Sequence, residues 1–255
     1  EIPTTSDAWV QEERVAIKMV DVHTAGAGGG SIAWIDSLGL LRVGPQSAGS
    51  EPGPACYDKA GREPTVTDAD LLLGYVPADF FLGGEIPLSE DRAREAVATQ
   101  VAEPLGMSVP EAAQAILTTV TAFMADQIME VSTRRGHDLR DMAIVAGGGA
   151  GPVHVPFIAE RLAVPHVIVP SVAATYSAFG MFAMDIGRNY ARSQVMRALD
   201  IDLEVVRQLY EGMKNEAREG FKELQFTPED CVYSRTAELR YVGQFHEVEV
   251  DVPSG

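Results

Sequence analysis

The stretch DMAIVAGGGAGPVHVPFIAERLAVPHVIVP, Asp141–Pro170, decides the fold. A short apolar segment runs through a glycine turn into a helix-patterned segment, then into a second apolar segment. That order is a β-α-β unit, and such crossovers belong to parallel sheets. The turn GGGAGP, Gly147–Pro152, marks the passage from strand to helix. Glycine loses the most backbone entropy on ordering, so three in a row with Gly151 after one alanine exceed what a tight turn needs. Backbone N–H groups at a helix start favour anions, and a missing side chain lets a phosphate or a flat ring approach closely. The alternative is a tight turn with nothing bound. The spacing is not G-x-G-x-x-G, and no acidic residue ends VIVP, so this is not the dinucleotide fingerprint. No Gly-Lys-Ser/Thr occurs in the chain, so a P-loop is excluded.

A second cluster, HTAGAGGGS at His23–Ser31, follows the apolar stretch Val15–Val22. Residues 14–22 and 32–43 read as strands on either side of it. Gly28, Gly29 and Gly30 either let backbone approach a ligand or a partner subunit, or form a hairpin with a glycine bulge between strands 14–22 and 32–36. Residues 44–67 are rich in glycine and proline and read as a long irregular loop, a type that is usually functional or disordered. Ser89, with Glu90 and Asp91 behind it, opens a helix that carries Ala93, Ala96, Val97 and Val101 on one side. Ser108 and Glu111 form a capping box for a long helix. Its apolar positions are Ile116, Val120, Phe123, Ile128 and Val131, and it stops near Gly136. Ser177–Asp185 reads as a buried helix, residues 200–225 as an acidic amphipathic helix, and residues 232–252 as strands.

The fold class is therefore α/β, a mixed sheet flanked by helices, with the start of a β-rich C-terminal region. The expected division is 1–198 and 199–255. The chain has 255 residues, 46% of them hydrophobic, and a formal net charge of −17. That acidity argues against nucleic acid and against an anionic membrane surface as partners. No apolar run reaches membrane-spanning length. Cys56 and Cys231 are too few for a disulfide framework, and the expected setting is reducing and cytoplasmic. The last residues, TAELRYVGQFHEVEVDVPSG, read as strands without their partners, so the chain is expected to be a piece of a longer one.

His23 is the leading acid–base candidate, since imidazole exchanges protons near neutral pH and donates charge-assisted hydrogen bonds to phosphate. Asp68 and Asp70, in TVTDADLLLG, could serve as a general base or Mg²⁺ ligands, or as helix caps, and the capping reading is favoured. Cys56 has no adjacent basic partner and reads as a plain thiol. No histidine pair has i, i+4 spacing, so no transition metal is expected.

The blocks DVHTAGAGGGSIAWID, GPQSAGSEPGPACY, EPTVTDADLLLG, FLGG, RRGHDLRDMAIVAGGGAGPVH and SAFGMFAMDI, in this order, resemble the hydantoinase A / 5-oxoprolinase family. The resemblance spans nearly the whole chain. It implies an actin/hexokinase-like (ASKHA) ATPase fold, of which this chain would be the second lobe. Gly147, Gly148, Gly149, Gly151 and Pro152 match that fold's adenosine motif, and Gly28–Gly30 with His23 would face the same cleft. The Asp-Gly-Gly-Thr motifs that grip phosphate in such folds are not in this sequence. Mg²⁺ would therefore be held mainly by parts outside it. The implied activity is ATP-dependent hydrolysis of a cyclic amide, with activation by phosphorylation. The implied alternatives are a subunit of an ATP-dependent ketone carboxylase (acetone or acetophenone type) and a non-catalytic scaffold piece. A sugar- or acetate-kinase-like enzyme is a weaker option on the same fold. A hydantoinase B-like subunit is the implied partner in a hetero-oligomer.

Overall fold

A computed structural model describes residues 20–182 and 184–253 with their side chains, and residues 4–5, 8–10, 13–15 and 19 by their backbone. The chain divides into two compact units, residues 1–183 and 184–255.

The first unit begins with short antiparallel ladders. β1 (Thr4–Thr5) pairs with β4 (Met19–Val20), and β2 (Ala8–Val10) pairs with β3 (Glu13–Val15). The strand expected over 14–22 is thus seen as parts of β3 and β4, and residues 16–18 lie outside the described residues. The strand expected over 32–43 is corrected to a hairpin of its own. It is made by β5 (Ser31–Ile35) and β6 (Leu41–Ser47). Asp36 causes the reversal: its Oδ1 accepts from Leu38 N at 2.9 Å and Leu40 N at 3.0 Å, and Oδ2 from Arg42 Nε at 2.8 Å. These donors, the Leu40 amide foremost, hold the Asp36 carboxyl below its ordinary range. The glycine cluster therefore leads into a hairpin and does not form its bend.

Helix α1 (Val66–Leu72) starts at Thr65, whose hydroxyl caps Asp68 N while the Asp68 carboxylate reaches back to the Thr65 N–H. The long loop ahead of it is ordered through that same carboxylate. Asp68 Oδ1 accepts from Cys56 N at 2.7 Å, and Oδ2 accepts from Ala55 N at 3.3 Å. Helix α2 (Glu90–Val97) is capped by Ser89 and buries Ala93, Ala96 and Val97. A wider turn, Ala98–Ala102, carries it into α3 (Glu103–Leu105), which Gly106 ends at φ 64°. Helix α4 (Val109–Arg134) opens with the expected capping box, Glu111 Oε2 accepting from Ser108 N at 2.8 Å. Ile116 and Val120 are buried, but Phe123 is 41% exposed. The stripe runs instead through Ala112, Ala113, Ile116, Leu117, Val120, Thr121 and Ala125, as a period of 3.6 requires.

The β-α-β reading of Asp141–Pro170 holds. β7 (Ala143–Val145) and β8 (His166–Ile168) pair in parallel, Ile144 opposite Val167, with α5 (Gly151–Leu162) between them. Helix α6 (Tyr176–Met181) follows. The buried helix expected over Ser177–Asp185 is corrected: Phe179, Met181 and Phe182 are exposed, and among the described residues nothing covers them. One cluster of the core joins Val66 and Ala69 of α1 to Val97, Ile116 and Val120. Another joins Ala125 of α4 to Ile158, Ala159 and Leu162 of α5. Each large aliphatic side chain buried in this way contributes about 1.5–3 kcal/mol.

In the second unit, α7 (Leu203–Glu223) is capped by Asp202 and buries Ala217 on its apolar side. β9 (Thr236–Leu239) and β10 (Val248–Asp251) pair antiparallel. Residues 184–198 belong to this unit. Arg188 lies 5.9 Å over the Phe221 ring, and Arg192 pairs with Glu216. The compact units thus divide at 183/184, earlier in the chain than the division expected at 198/199.

Cys56 is fully buried, and burial, with the Asp68 charge beside it, pushes its thiol above the ordinary range. Brief alkylation near neutral pH, read by peptide mapping, is expected to modify the partly exposed Cys231 and spare Cys56 until denaturant is added. Rapid native labelling of Cys56 would show that the loop over residues 48–64 opens.

Candidate functional site

The two glycine clusters meet. A Cβ built on Gly29 would sit 3.8 Å from Ala150 Cβ in the second turn and 2.7 Å from Thr67 Oγ1. Residue 29 must therefore lack a side chain for α1 to approach. Gly29 O accepts from Thr67 N at 2.8 Å and Thr67 Oγ1 at 2.9 Å, while Gly30 O accepts from Ala48 N at 2.9 Å. Gly28 N donates to Ser31 Oγ at 3.0 Å, and the space beside Gly28 is open. The first turn is thus pinned through its carbonyls to α1 and to the start of the long loop.

The second turn is shaped differently. Ala146 N completes the sheet by donating to Ile168 O at 2.9 Å. Gly147 is closed, since a Cβ there would meet Tyr176 Cδ1 at 3.0 Å. Gly148 takes φ +86°, a conformation that favours glycine, and its N–H donates to Ala173 O at 2.7 Å. Beside Gly148, Gly149 and Gly151 no atom stands within 4 Å of a built Cβ. Pro152 follows in the first turn of α5, where its missing N–H costs nothing. Residues 173–176 hold the bend at Gly147 and at the Gly148 N–H, and the bend is bare alongside Gly148, Gly149 and Gly151. Because Gly148 N–H is committed to Ala173, the bare side suits a flat ring lying on backbone better than a phosphate needing many N–H donors.

The predicted acid–base residues separate. His23 is exposed, its Nε2 3.2 Å from Gln127 Oε1 on α4. Asp68 is fully buried, and besides the Ala55 and Cys56 amides its Oδ2 accepts from Thr65 N and Thr65 Oγ1, each at 2.8 Å. That is the cap geometry weighed in the sequence. Four donors on two oxygens leave the carboxylate no free face for a substrate proton. Asp70 is buried too, with Oδ2 3.2 Å from His154 Nε2, out of line for a hydrogen bond. Among the described residues Asp70 Oδ1 and His154 Nδ1 have no hydrogen-bond partner. This buried pair ties α1 to the first turn of α5, directly behind the glycine bend. Sequence reasoning named Asp70 but not this pairing, because no local signal joins positions so far apart. Tyr176 was not singled out either. Among the described residues, no group of three or more His, Cys, Asp and Glu side chains is placed to hold a metal.

Comparison with known proteins identifies the family of the chain. The hydantoinase/oxoprolinase family matches residues 1–190. The chain is 42% identical over 244 residues to caprolactamase subunit alpha of Pseudomonas jessenii, covering 94% of this chain and 35% of that protein. It is 35% identical over 255 residues to the acetophenone carboxylase gamma subunit of Aromatoleum aromaticum, covering 97% of this chain and 34% of that one. Among solved structures, the nucleotide-free acetone carboxylase, described under ATP-dependent acetone carboxylation, superposes with a TM-score of 0.85 at 27% identity. The match covers 100% of this chain and 37% of that chain. The chain therefore spans about a third of the length of the curated relatives it matches.

The contrast between two neighbouring glycines tests the junction. Gly29→Ala places a methyl against Thr67 Oγ1 and breaks its hydrogen bond, so a loss of about 1–2 kcal/mol in urea unfolding is expected. Gly28→Ala meets open space and is expected to stay within about 0.5 kcal/mol of the parent.

Proposed function

Because the chain belongs to the hydantoinase/oxoprolinase family, we propose that it forms the adenosine-binding lobe of an ATP-dependent cyclic-amide hydrolase with an actin/hexokinase-like fold. The observation that carries this reading is the bare side of the Gly147–Pro152 bend. Gly148, Gly149 and Gly151 present uncovered backbone where the first glycine turn comes within contact distance. These residues would hold adenine and ribose, and Gly28–Gly30 would edge the same cleft. ATP, when bound, supplies a phosphoryl group that converts an amide or enol oxygen into a leaving group.

This chain's own part is positional, as the chemistry of phosphoryl transfer asks of a protein. Thr67 fixes the first turn, and the Gly148–Ala173 hydrogen bond fixes the second. His23, held by Gln127, is the predicted acid–base side chain that stays open to a ligand. Asp68 and Asp70 are enclosed, so Mg²⁺ would be held by carboxylates outside this chain. The relatives are named as subunits, and a hydantoinase B-like partner in a cytoplasmic hetero-oligomer completes the proposal.

A ketone carboxylase subunit is the second reading, favoured by the 0.85 superposition on acetone carboxylase. The 42% identity to a caprolactamase subunit supports lactam hydrolysis as the first reading. ATP-dependent turnover of a lactam, compared with bicarbonate incorporation into a ketone, separates the two.

Gly149→Val puts a side chain into open space without forcing a left-handed backbone. In the full-length assembly it is expected to weaken ATP binding at least about tenfold by calorimetry, with Tm unchanged. Unaltered ATP affinity in this variant would contradict the assignment.

A further inference from the structure

Tyr176 stands against the glycine bend in a way its own helix does not require. A Cβ on Gly147 would lie 3.0 Å from Tyr176 Cδ1, 3.1 Å from its Cβ and 3.4 Å from its Cγ. The absence of a side chain at residue 147 is what lets the phenol ring come down on the backbone. Three residues earlier, Ala173 O takes the N–H of Gly148 at 2.7 Å. The segment 173–176 is therefore bolted to the bend at two adjacent residues, which fixes the ring relative to Gly148 and Gly149. The residue nevertheless remains 39% exposed. Among the described residues no other aromatic ring is stacked on it.

An exposed tyrosine alone is ordinary. Here the ring packs on Gly147, at a bend where Gly148, Gly149 and Gly151 face open space. A fixed aromatic face next to bare peptide is the arrangement that receives a flat heterocycle, because π-faces attract in offset stacks and the peptide edge adds no steric limit. We propose that Tyr176 is the stacking wall for the nucleobase of the bound nucleotide. This rests on the adenosine-binding reading given above and adds the residue that grips the base. Stacking reads a π-face and not a hydrogen-bond pattern, so Tyr176 contributes affinity for a purine base without choosing adenine over guanine.

The test uses the full-length assembly with Tyr176→Ala, Tyr176→Leu and Tyr176→Phe, titrated with ATP, GTP and inorganic tripolyphosphate. Tyr176→Ala and Tyr176→Leu are expected to weaken ATP and GTP about 5- to 150-fold each, leaving tripolyphosphate affinity unchanged. Tyr176→Phe is expected to bind as the parent does. Leucine keeps apolar bulk against Gly147 but has no π-face, so parental ATP affinity in Tyr176→Leu would reduce the residue to packing and overturn the proposal. Loss in Tyr176→Phe equal to that in Tyr176→Ala would move the role to the hydroxyl and overturn it too. A parent assembly that binds no adenine nucleotide would overturn this proposal together with the adenosine-binding reading. Parental affinity in a folded Tyr176→Ala would overturn the stacking role alone.

Discussion

Helix α1 is the constraint on which the rest depends. Its seven residues, with Thr65 ahead of them, send buried polar groups in three directions. Thr67 holds the carbonyl of Gly29, Asp68 gathers the amides of Ala55, Cys56 and Thr65, and Asp70 faces His154 at the start of α5. Val66 and Ala69 between them pack into the core against α2 and α4. Burying polar atoms costs free energy unless they find partners, so Thr67 and Asp68 are satisfied only when the first glycine turn and the loop at Ala55–Cys56 are in place. The helix therefore sets the distance between two glycine turns that are more than a hundred positions apart in the chain.

The site is built on absence of side chains as much as on their presence. Gly29 is bare so that Thr67 can approach, and Gly147 is bare so that Tyr176 can. Gly148 is glycine for its backbone angle, and Gly149 and Gly151 are left with nothing beside them. The same residue type thus answers three physical requirements within one short bend. Replacing each in turn probes a different one: close packing, left-handed backbone, or access for a ligand.

What the sequence made legible was whatever acts within about one helical turn. The capping box of Ser108 and Glu111, the Ser89 cap, the stop near Gly136 and the β-α-β order of Asp141–Pro170 all came through because their causes are local. The hairpin of residues 31–47 was missed because Asp36 and Gly39 lie inside a run that is otherwise strand-like. Phe123 falls among the apolar positions at helical spacing, although the buried stripe passes it by. The loop after β6 reads as loose by composition, yet the Asp68 carboxylate beyond its end takes the Ala55 and Cys56 amides and helps order it. Of the site, the glycines were visible as glycines. That residue 29 lies beside the second turn, that His154 faces Asp70 and that Tyr176 closes over Gly147 depends on tertiary packing, which no spacing encodes.

The central claim is that the two glycine turns are parts of one ligand site clamped by α1. Amide hydrogen exchange on the full-length assembly tests it most directly, comparing peptides over residues 23–31 and 147–153 with and without a saturating non-hydrolysable ATP analogue. Both peptides are expected to gain protection at the same ligand concentration. Protection at one turn with the other unmoved, or at neither, would contradict it.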